Sequence, residues 1–196
     1  GRIDYPNGNW YAGEFSNGVF QGQGEWHASN GDVYRGKFEG GLYNGQGSLT
    51  THDSDYVGGF KQGRREGEGT LKQGGMSYRG DFKDDQFSGF GHLELEDGSE
   101  YQGQFAHGKP HGEGKRSDAS GNEFTGTFVN GQLEGNGIFN SAEGDQYEGE
   151  FKDNQLNGKG RFENADGDVW IGEFKDGALT GKGEFIGVDG SHYRGQ

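Results

Sequence analysis

The stretch Tyr147-Glu-Gly149-Glu-Phe151-Lys-Asp-Asn-Gln-Leu-Asn-Gly158-Lys-Gly160 decides how this chain is read, because its pattern returns from one end to the other. An aromatic residue opens it, Gly follows two positions later and Phe four later. The openings fall at Tyr11, Tyr34, Tyr56, Tyr78, Tyr101, Phe124, Tyr147, Trp170 and Tyr193, so the steps are 23, 22, 22, 23, 23, 23, 23 and 23 residues. The glycine column runs through Gly13, Gly36, Gly58, Gly80, Gly103, Gly126, Gly149, Gly172 and Gly195 without exception. The Phe column, Phe15, Phe38, Phe60, Phe82, Phe105, Phe128, Phe151 and Phe174, has none either. Each unit then carries a Gly-x-Gly pair, from Gly22 and Gly24 through Gly181 and Gly183. A bulky residue follows two positions on: Trp26, Leu49, Leu71, Leu93, Arg116, Phe139, Phe162 and Phe185, of which only Arg116 is not apolar. A fixed period of this length marks a tandem array.

Inside a unit the alternation has a period of two, which puts ring, Gly and Phe on one face of a strand and makes each unit a β-hairpin. The first turn centres on Gly18, Gly41, Gly63, Asp85, Gly108, Gly131, Asn154 and Gly177, all residue types that accept positive φ. A second turn joins units at Asn30-Gly31-Asp32, Asp97-Gly98, Ser120-Gly121, Glu143-Gly144, Asp166-Gly167-Asp168 and Asp189-Gly190. The two shorter units replace it with Ser54-Asp55 and Gly75-Met76. Glycine weakens a strand unless something needs its bare backbone. Here all the strand glycines are expected on the ring face, where rings of neighbouring strands lie over them. The opposite face is polar, with Glu14, Lys37, Asp81, Gln104, Glu150 and Glu173. Phe90 is its one ring, read as a local contact or an isolated exposed residue.

The expected organisation is one continuous array over 1–196: a half unit 1–10, full units 11–33, 34–55, 56–77, 78–100, 101–123, 124–146, 147–169 and 170–192, and the opening of another at 193–196. Because both ends cut through a unit and no initiator Met is present, the native chain is expected to continue in both directions. A lone hairpin is marginal in water, so units must borrow each other's faces, as in a solenoid. The expected fold class is therefore all-β: an elongated, twisted, single-layer solenoid of consecutive antiparallel hairpins, reaching on the order of 80 Å at ~4.8 Å per strand.

Composition agrees. Leu, Ile, Val and Phe total 33 of 196 residues, which with a net charge of −14 would read as disorder were it not for 27 aromatic rings set among 44 glycines. No Cys is present, so there is neither a disulfide framework nor a cysteine zinc site. No apolar run approaches the ~20 residues that cross a bilayer. The acidic surplus repels phosphates, which excludes nucleic acid and disfavours anionic lipid. The local basic clusters, Lys61 with Arg64 and Arg65, and Lys109 with Lys115 and Arg116, read as solvated turns.

The unit at Tyr147–Gly160, repeated along the whole chain, resembles the MORN repeat (membrane occupation and recognition nexus). That resemblance implies a single twisted sheet of hairpins with a ring-lined groove, and a non-catalytic module found beside enzyme domains, in cytoskeletal scaffolds and in bacterial envelope proteins. Asp85 and Asn154 at the turn glycine, Arg116 in the bulky column and the short links near Ser54 and Gly75 depart from the pattern and put local groove continuity in question. The wording Asn164-Ala-Asp-Gly-Asp-Val-Trp170 is similar to bacterial arrays that accompany a legumain-type, caspase-like peptidase domain. It implies a bacterial envelope or periplasmic setting, although no His/Cys dyad occurs in this chain.

Candidate chemistry is sparse. His107 and His111 lie four apart across a turn with no further ligand column, so they read as turn residues rather than a metal site. Asp166-Gly-Asp168 and Asn30-Gly-Asp32 satisfy a tight turn before they satisfy a calcium loop. The Gly-x-Gly pairs precede no helix that could hold a phosphate. No Ser or carboxylate recurs with a base. No catalytic residue, cofactor or metal is therefore assigned. The candidate site is a groove formed by Tyr34, Phe38, Tyr56, Phe60, Tyr78, Phe82, Tyr101, Phe105, Phe124, Phe128, Tyr147, Phe151, Trp170 and Phe174, taking an extended or helical segment of a partner protein. The alternatives are an accessory region of a larger peptidase and a lipid-binding module. Self-association through unpaired edge strands is a further expectation.

Overall fold

The computed structural model describes residues 1–195; Gln196, the last residue of the unit that opens at Tyr193, lies outside the described residues. The chain is all-β, with eighteen antiparallel strands and no helix among the described residues. Two compact units divide it, Gly1–Glu96 and Asp97–Gln196. In the first, β1 (Arg2–Asp4), β2 (Trp10–Ser16), β3 (Val19–His27), β4 (Val33–Glu39), β5 (Leu42–Thr50), β6 (Ser54–Lys61), β7 (Arg64–Gln73), β8 (Met76–Lys83) and β9 (Gln86–Glu94) pair each with the next. The second repeats this with β10 (Glu100–Ala106), β11 (Lys109–Ser117), β12 (Glu123–Val129), β13 (Gln132–Asn140), β14 (Gln146–Lys152), β15 (Gln155–Glu163), β16 (Val169–Lys175), β17 (Ala178–Ile186) and β18 (His192–Gly195).

The first turn of every unit has two central residues, both at positive φ, as in Asn17 (48°) with Gly18 (80°) and Asp153 (51°) with Asn154 (66°). This is the turn whose twist matches the flanking strands. His107 (52°) is one of these turn residues, which accounts for it without a ligand. Past the turn the strands fall out of step. Phe15 faces Phe20 and Gly13 faces Gly24, so two residues on β2 span what takes four on β3. The surplus is absorbed in a β-bulge, and the first glycine of the Gly-x-Gly pair sits in it at positive φ, 67° at Gly22 and 73° at Gly45. This corrects the expectation that all strand glycines make room for rings. The columns of Gly13 and Gly24 make room for a covering side chain, a ring in some repeats and a leucine in others, whereas the column of Gly22 is needed for its backbone conformation. The polar column also has a task in the bulge: Glu14 Oε1 accepts the Gln23 N–H at 2.8 Å, and Gln104 Oε1 that of Glu113 at 3.1 Å.

The second turns are tied to one another along each unit's margin. Asn9 Oδ1 accepts the Ser29 N–H, Asn122 Oδ1 that of Ala142, Asp145 Oδ1 that of Ala165 and Asp168 Oδ1 that of Val188, all at 2.8–3.0 Å. Of the residues that suggested calcium loops, Asp168 is an acceptor of this turn-to-turn ladder, while Asn30 Oδ1 accepts the Asp32 N–H at 3.0 Å within its own turn. The shortened links keep the register: Gly47 still faces Gly58 and Gly69 still faces Gly80.

Candidate functional site: the ring face

Each unit presents a pair of facing glycines that some side chain must cover, and the chain covers them in two ways. In the units that open at Tyr11, Tyr34, Tyr56, Tyr78 and Tyr101 the opening tyrosine lies over the pair. A Cβ added at Gly24 would meet Tyr11 ring carbons at 2.6 Å, and one at Gly47 would meet those of Tyr34 at 2.7 Å. The phenol then reaches back along its own strand. Its O–H donates to the carbonyl three residues on, Tyr34 to Lys37 at 2.9 Å and Tyr56 to Gly59 at 2.9 Å. At Tyr11, Tyr34, Tyr56 and Tyr101 the edges of two phenylalanines clasp the ring, one from its own repeat and one from the next, as Phe38 and Phe60 do at Tyr34, both 5.1 Å away. A third group stacks on the outside: Phe20 on Tyr11 at 3.8 Å, Tyr43 on Tyr34 at 3.7 Å and Phe87 on Tyr78 at 3.8 Å. Burial pushes the phenols of Tyr34, Tyr56 and Tyr101 up to about 12 and raises those of Tyr11 and Tyr78 as well.

The units opening at Phe124, Tyr147 and Trp170 use a leucine from the returning strand. A Cβ at Gly137 would meet Leu133 Cδ2 at 3.0 Å, one at Gly160 Leu156 Cδ1 at 2.8 Å, and one at Gly172 Leu179 Cδ1 at 2.8 Å. Leu133 and Leu156 are fully buried. The opening rings, displaced from the glycines, join the bulky column instead. The result is a run of neighbours, Phe124–Phe139 at 4.6 Å, Phe139–Tyr147 at 5.6 Å, Tyr147–Phe162 at 4.4 Å, Phe162–Trp170 at 5.1 Å and Trp170–Phe185 at 5.0 Å. All six rings are half-buried. This ring ladder belongs wholly to the second unit.

Of the fourteen groove residues named from sequence, Tyr34, Phe38, Tyr56, Phe60, Tyr78, Phe82, Tyr101, Phe105, Phe128, Phe151 and Phe174 lie in the core, none more than 5% exposed. Phe124, Tyr147 and Trp170 are half-buried in the ladder. In the first unit the open part of the ring face is a depression of about 300 Å³ walled by Phe20, Trp26, Phe38, Leu42 and Tyr43. Phe90, on the opposite face, is 65% exposed. The column that sequence reading passed over is the one facing each Phe: Phe20, Tyr43, Arg65, Phe87, Pro110, Leu133, Leu156 and Leu179. Its signal was its position opposite an invariant Phe, not its residue type.

The departures from the repeat pattern turn out to be partners. Asn154 Oδ1 accepts the Leu133 N–H at 2.8 Å and Arg116 Nη2 at 3.1 Å, while Arg116 Nη1 donates to the Gly131 carbonyl at 2.8 Å. The same guanidinium lies 4.3 Å over Phe124, standing where other units put a ring. Asp85 does likewise in the first unit, its Oδ1 accepting the Arg65 N–H at 2.9 Å and Nε at 3.2 Å, with that guanidinium 5.7 Å from Tyr56 and 5.4 Å from Phe82. Ring continuity is therefore kept by arginine at both places.

The MORN repeat matches the chain eight times, over residues 11–33, 34–55, 56–74, 78–100, 101–123, 124–146, 147–169 and 170–192. No curated protein is similar to the chain at a significant level. Among solved structures, a mutant of the TCP10 domain of CPAP from Danio rerio is 14% identical, with a TM-score of 0.48 over 100% of this chain and 98% of that one. The TCP domain of SAS-4 from Drosophila melanogaster, in complex with a proline-rich motif of Ana2, is 8% identical, with a TM-score of 0.35 over 100% and 88% of the two chains. At these scores no property of either protein is carried over to this chain.

Proposed function

We propose that this chain, which belongs to the MORN repeat family, is a non-catalytic binding module that docks a segment of a partner protein on its ring face. The observation that carries the reading is the ladder from Phe124 to Phe185: six rings in mutual contact, each only half-buried. Contiguous apolar surface of this kind is where soluble proteins meet partners. The three members of the sequence-derived groove that reach the surface, Phe124, Tyr147 and Trp170, belong to it. The other eleven are buried. A scaffold role within a longer protein, including one that carries a peptidase domain, is compatible with the same surface.

The test is a selection of short peptides against the array, followed by mapping of the bound peptide on side-chain NMR signals. Perturbations centred on Tyr147, Phe162 and Trp170 are expected. Perturbations confined to the opposite face, at Val57, Phe90 and Ile171, would sink the reading.

A further inference from the structure

The inference concerns the chemistry of the docked segment and rests on the docking reading above. Residues 97–196 hold nine basic and eighteen acidic side chains, 9 − 18 = −9, whereas residues 1–96 hold nine and fourteen, 9 − 14 = −5. The ring ladder therefore lies in the more acidic of the two units. Acidic residues also stand at its margin. Asp145 and Asp168 each precede an opening ring by two residues, and Asp145 is near enough to Tyr147 for its charge, after burial, to help raise that phenol. Each carboxylate gives Oδ1 to the amide of the next turn, at 2.9 and 3.0 Å, and Asp168 Oδ2 also accepts from Asn164 Nδ2 at 3.4 Å.

What such a surface accepts is displayed by the chain itself. Arg116 lays its guanidinium 4.3 Å over Phe124, at the first ring of the ladder, and donates to the side-chain oxygen of Asn154. Arg65 takes a ring's place between Tyr56 and Phe82 and donates to Asp85. Twice, in different columns, a planar cation substitutes for a ring on this face and finds a turn oxygen in reach. Guanidinium combines stacking with directed hydrogen bonds to carboxylate, which an ammonium does not.

We propose that the ring ladder of residues 124–185 seats an extended, arginine-bearing basic segment of a partner protein, whose guanidinium groups stack on the ladder while its charge faces the carboxylates of Asp145 and Asp168. Attraction of this sign speeds encounter and selects the partner, and it weakens with salt.

Fluorescein-labelled short peptides alternating Arg with Ser, Lys with Ser, Glu with Ser and Phe with Ser, titrated with the whole protein and read by anisotropy, test it. The Arg peptide should bind, with the Lys peptide several-fold weaker and the Glu peptide not binding, and raising salt should weaken the Arg peptide. The decisive variant is Asp145→Asn with Asp168→Asn. Asn9 and Asn122 already accept the same turn-to-turn bond elsewhere, so the variant keeps that bond and loses the charge, together with the long 3.4 Å contact from Asn164 Nδ2 to Asp168 Oδ2. It should bind the Arg peptide about tenfold more weakly, the combined effect of two partly exposed charges. Unchanged affinity in that variant, or equal binding of Arg and Glu peptides, overturns the inference. A Phe peptide that binds as tightly as the Arg peptide also overturns it, yet leaves the docking reading standing. Failure of every peptide removes both.

Discussion

The repeats opening at Tyr11 to Tyr101 and those opening at Phe124 to Trp170 share register, turns and bulge, yet differ in which side chain lies over the facing glycines. Tyr147 shows what decides. It opens its unit with the same residue as Tyr34, but it faces a unit with Leu156 on the returning strand and stands aside, half-buried, while Leu156 fills the space. The choice therefore belongs to the residue opposite the invariant Phe. A flat ring, an arginine or Pro110 leaves the glycines to tyrosine, whereas a branched aliphatic chain reaches them first. The lesson is that a column of mixed composition can govern where an invariant-looking column points.

The largest effect expected from disturbing this difference is at the leucine itself. Leu133→Ala empties a fully buried site over Gly126 and Gly137 and should cost about 3 kcal/mol, as core truncations do. Arg65→Ala, in the same column of a tyrosine-covered unit, should cost about 1 kcal/mol, since it loses one stacked group and its bonds to Asp85. Native-state hydrogen exchange of the amides in the affected repeat would resolve both, and equal costs would mean that the column does not divide the repeats into two kinds.

Adding a methyl group sharpens the contrast from the other side. Gly47→Ala drives a Cβ to within 2.7 Å of the Tyr34 ring carbons, while Gly137→Ala meets nothing nearer than 3.0 Å, from Leu133 and the Thr125 carbonyl. Overpacking against a clasped ring should cost about 2–3 kcal/mol, and against leucine methyls about 1 kcal/mol. Thermal unfolding of the two variants, followed by circular dichroism, would rank them.

The smallest effect concerns the phenol. Tyr34→Phe deletes the bond to the Lys37 carbonyl and should cost about 1 kcal/mol, whereas Tyr147→Phe, with no such bond among the described residues, should stay within about 0.5 kcal/mol. The same hydroxyls set an alkaline limit. Burial holds Tyr34, Tyr56 and Tyr101 up to about 12, above the ordinary value near 10, so the neutral phenols favour the folded state. That contribution is intact below pH 10 and is lost as pH rises through 12. Absorbance of ionised tyrosine should accordingly appear for these three residues only as the pH approaches 12. Ionisation of Tyr34, Tyr56 and Tyr101 near pH 10 while the chain is folded would contradict the tyrosine-covered packing.

Much of this is legible in the sequence. Identical residues at a fixed interval declare themselves, so the openings, the facing glycines, the Phe column and both turns were readable, and the family match begins each unit at the same residue. The bulge was not read, although the four-residue gap from Phe20 to Gly24 against the two-residue gap from Gly13 to Phe15 requires one. Strict alternation carried through it places the column of Gly22 on the ring face, where the bulge does not leave it. The covering column was missed because Phe, Tyr, Arg, Pro and Leu do not look like one position until pairing sets them all opposite Phe. Arg116 and Asn154 looked like two separate lapses, since 38 residues part them and only the sheet brings them to 3.1 Å.

The turn-to-turn ladder has its own consequence. Asp145 grips Ala165 and Asp168 grips Val188 at the same interval of twenty residues, so each junction measures off the length of the unit beside it. A one-residue insertion within such a unit would leave an acceptor reaching for the wrong amide, whereas adding or removing a complete unit would leave every grip in place. Along the 23-residue units that carry it, the margin is thus tolerant of changes in copy number and intolerant of changes in period, a form of proofreading written into the turns.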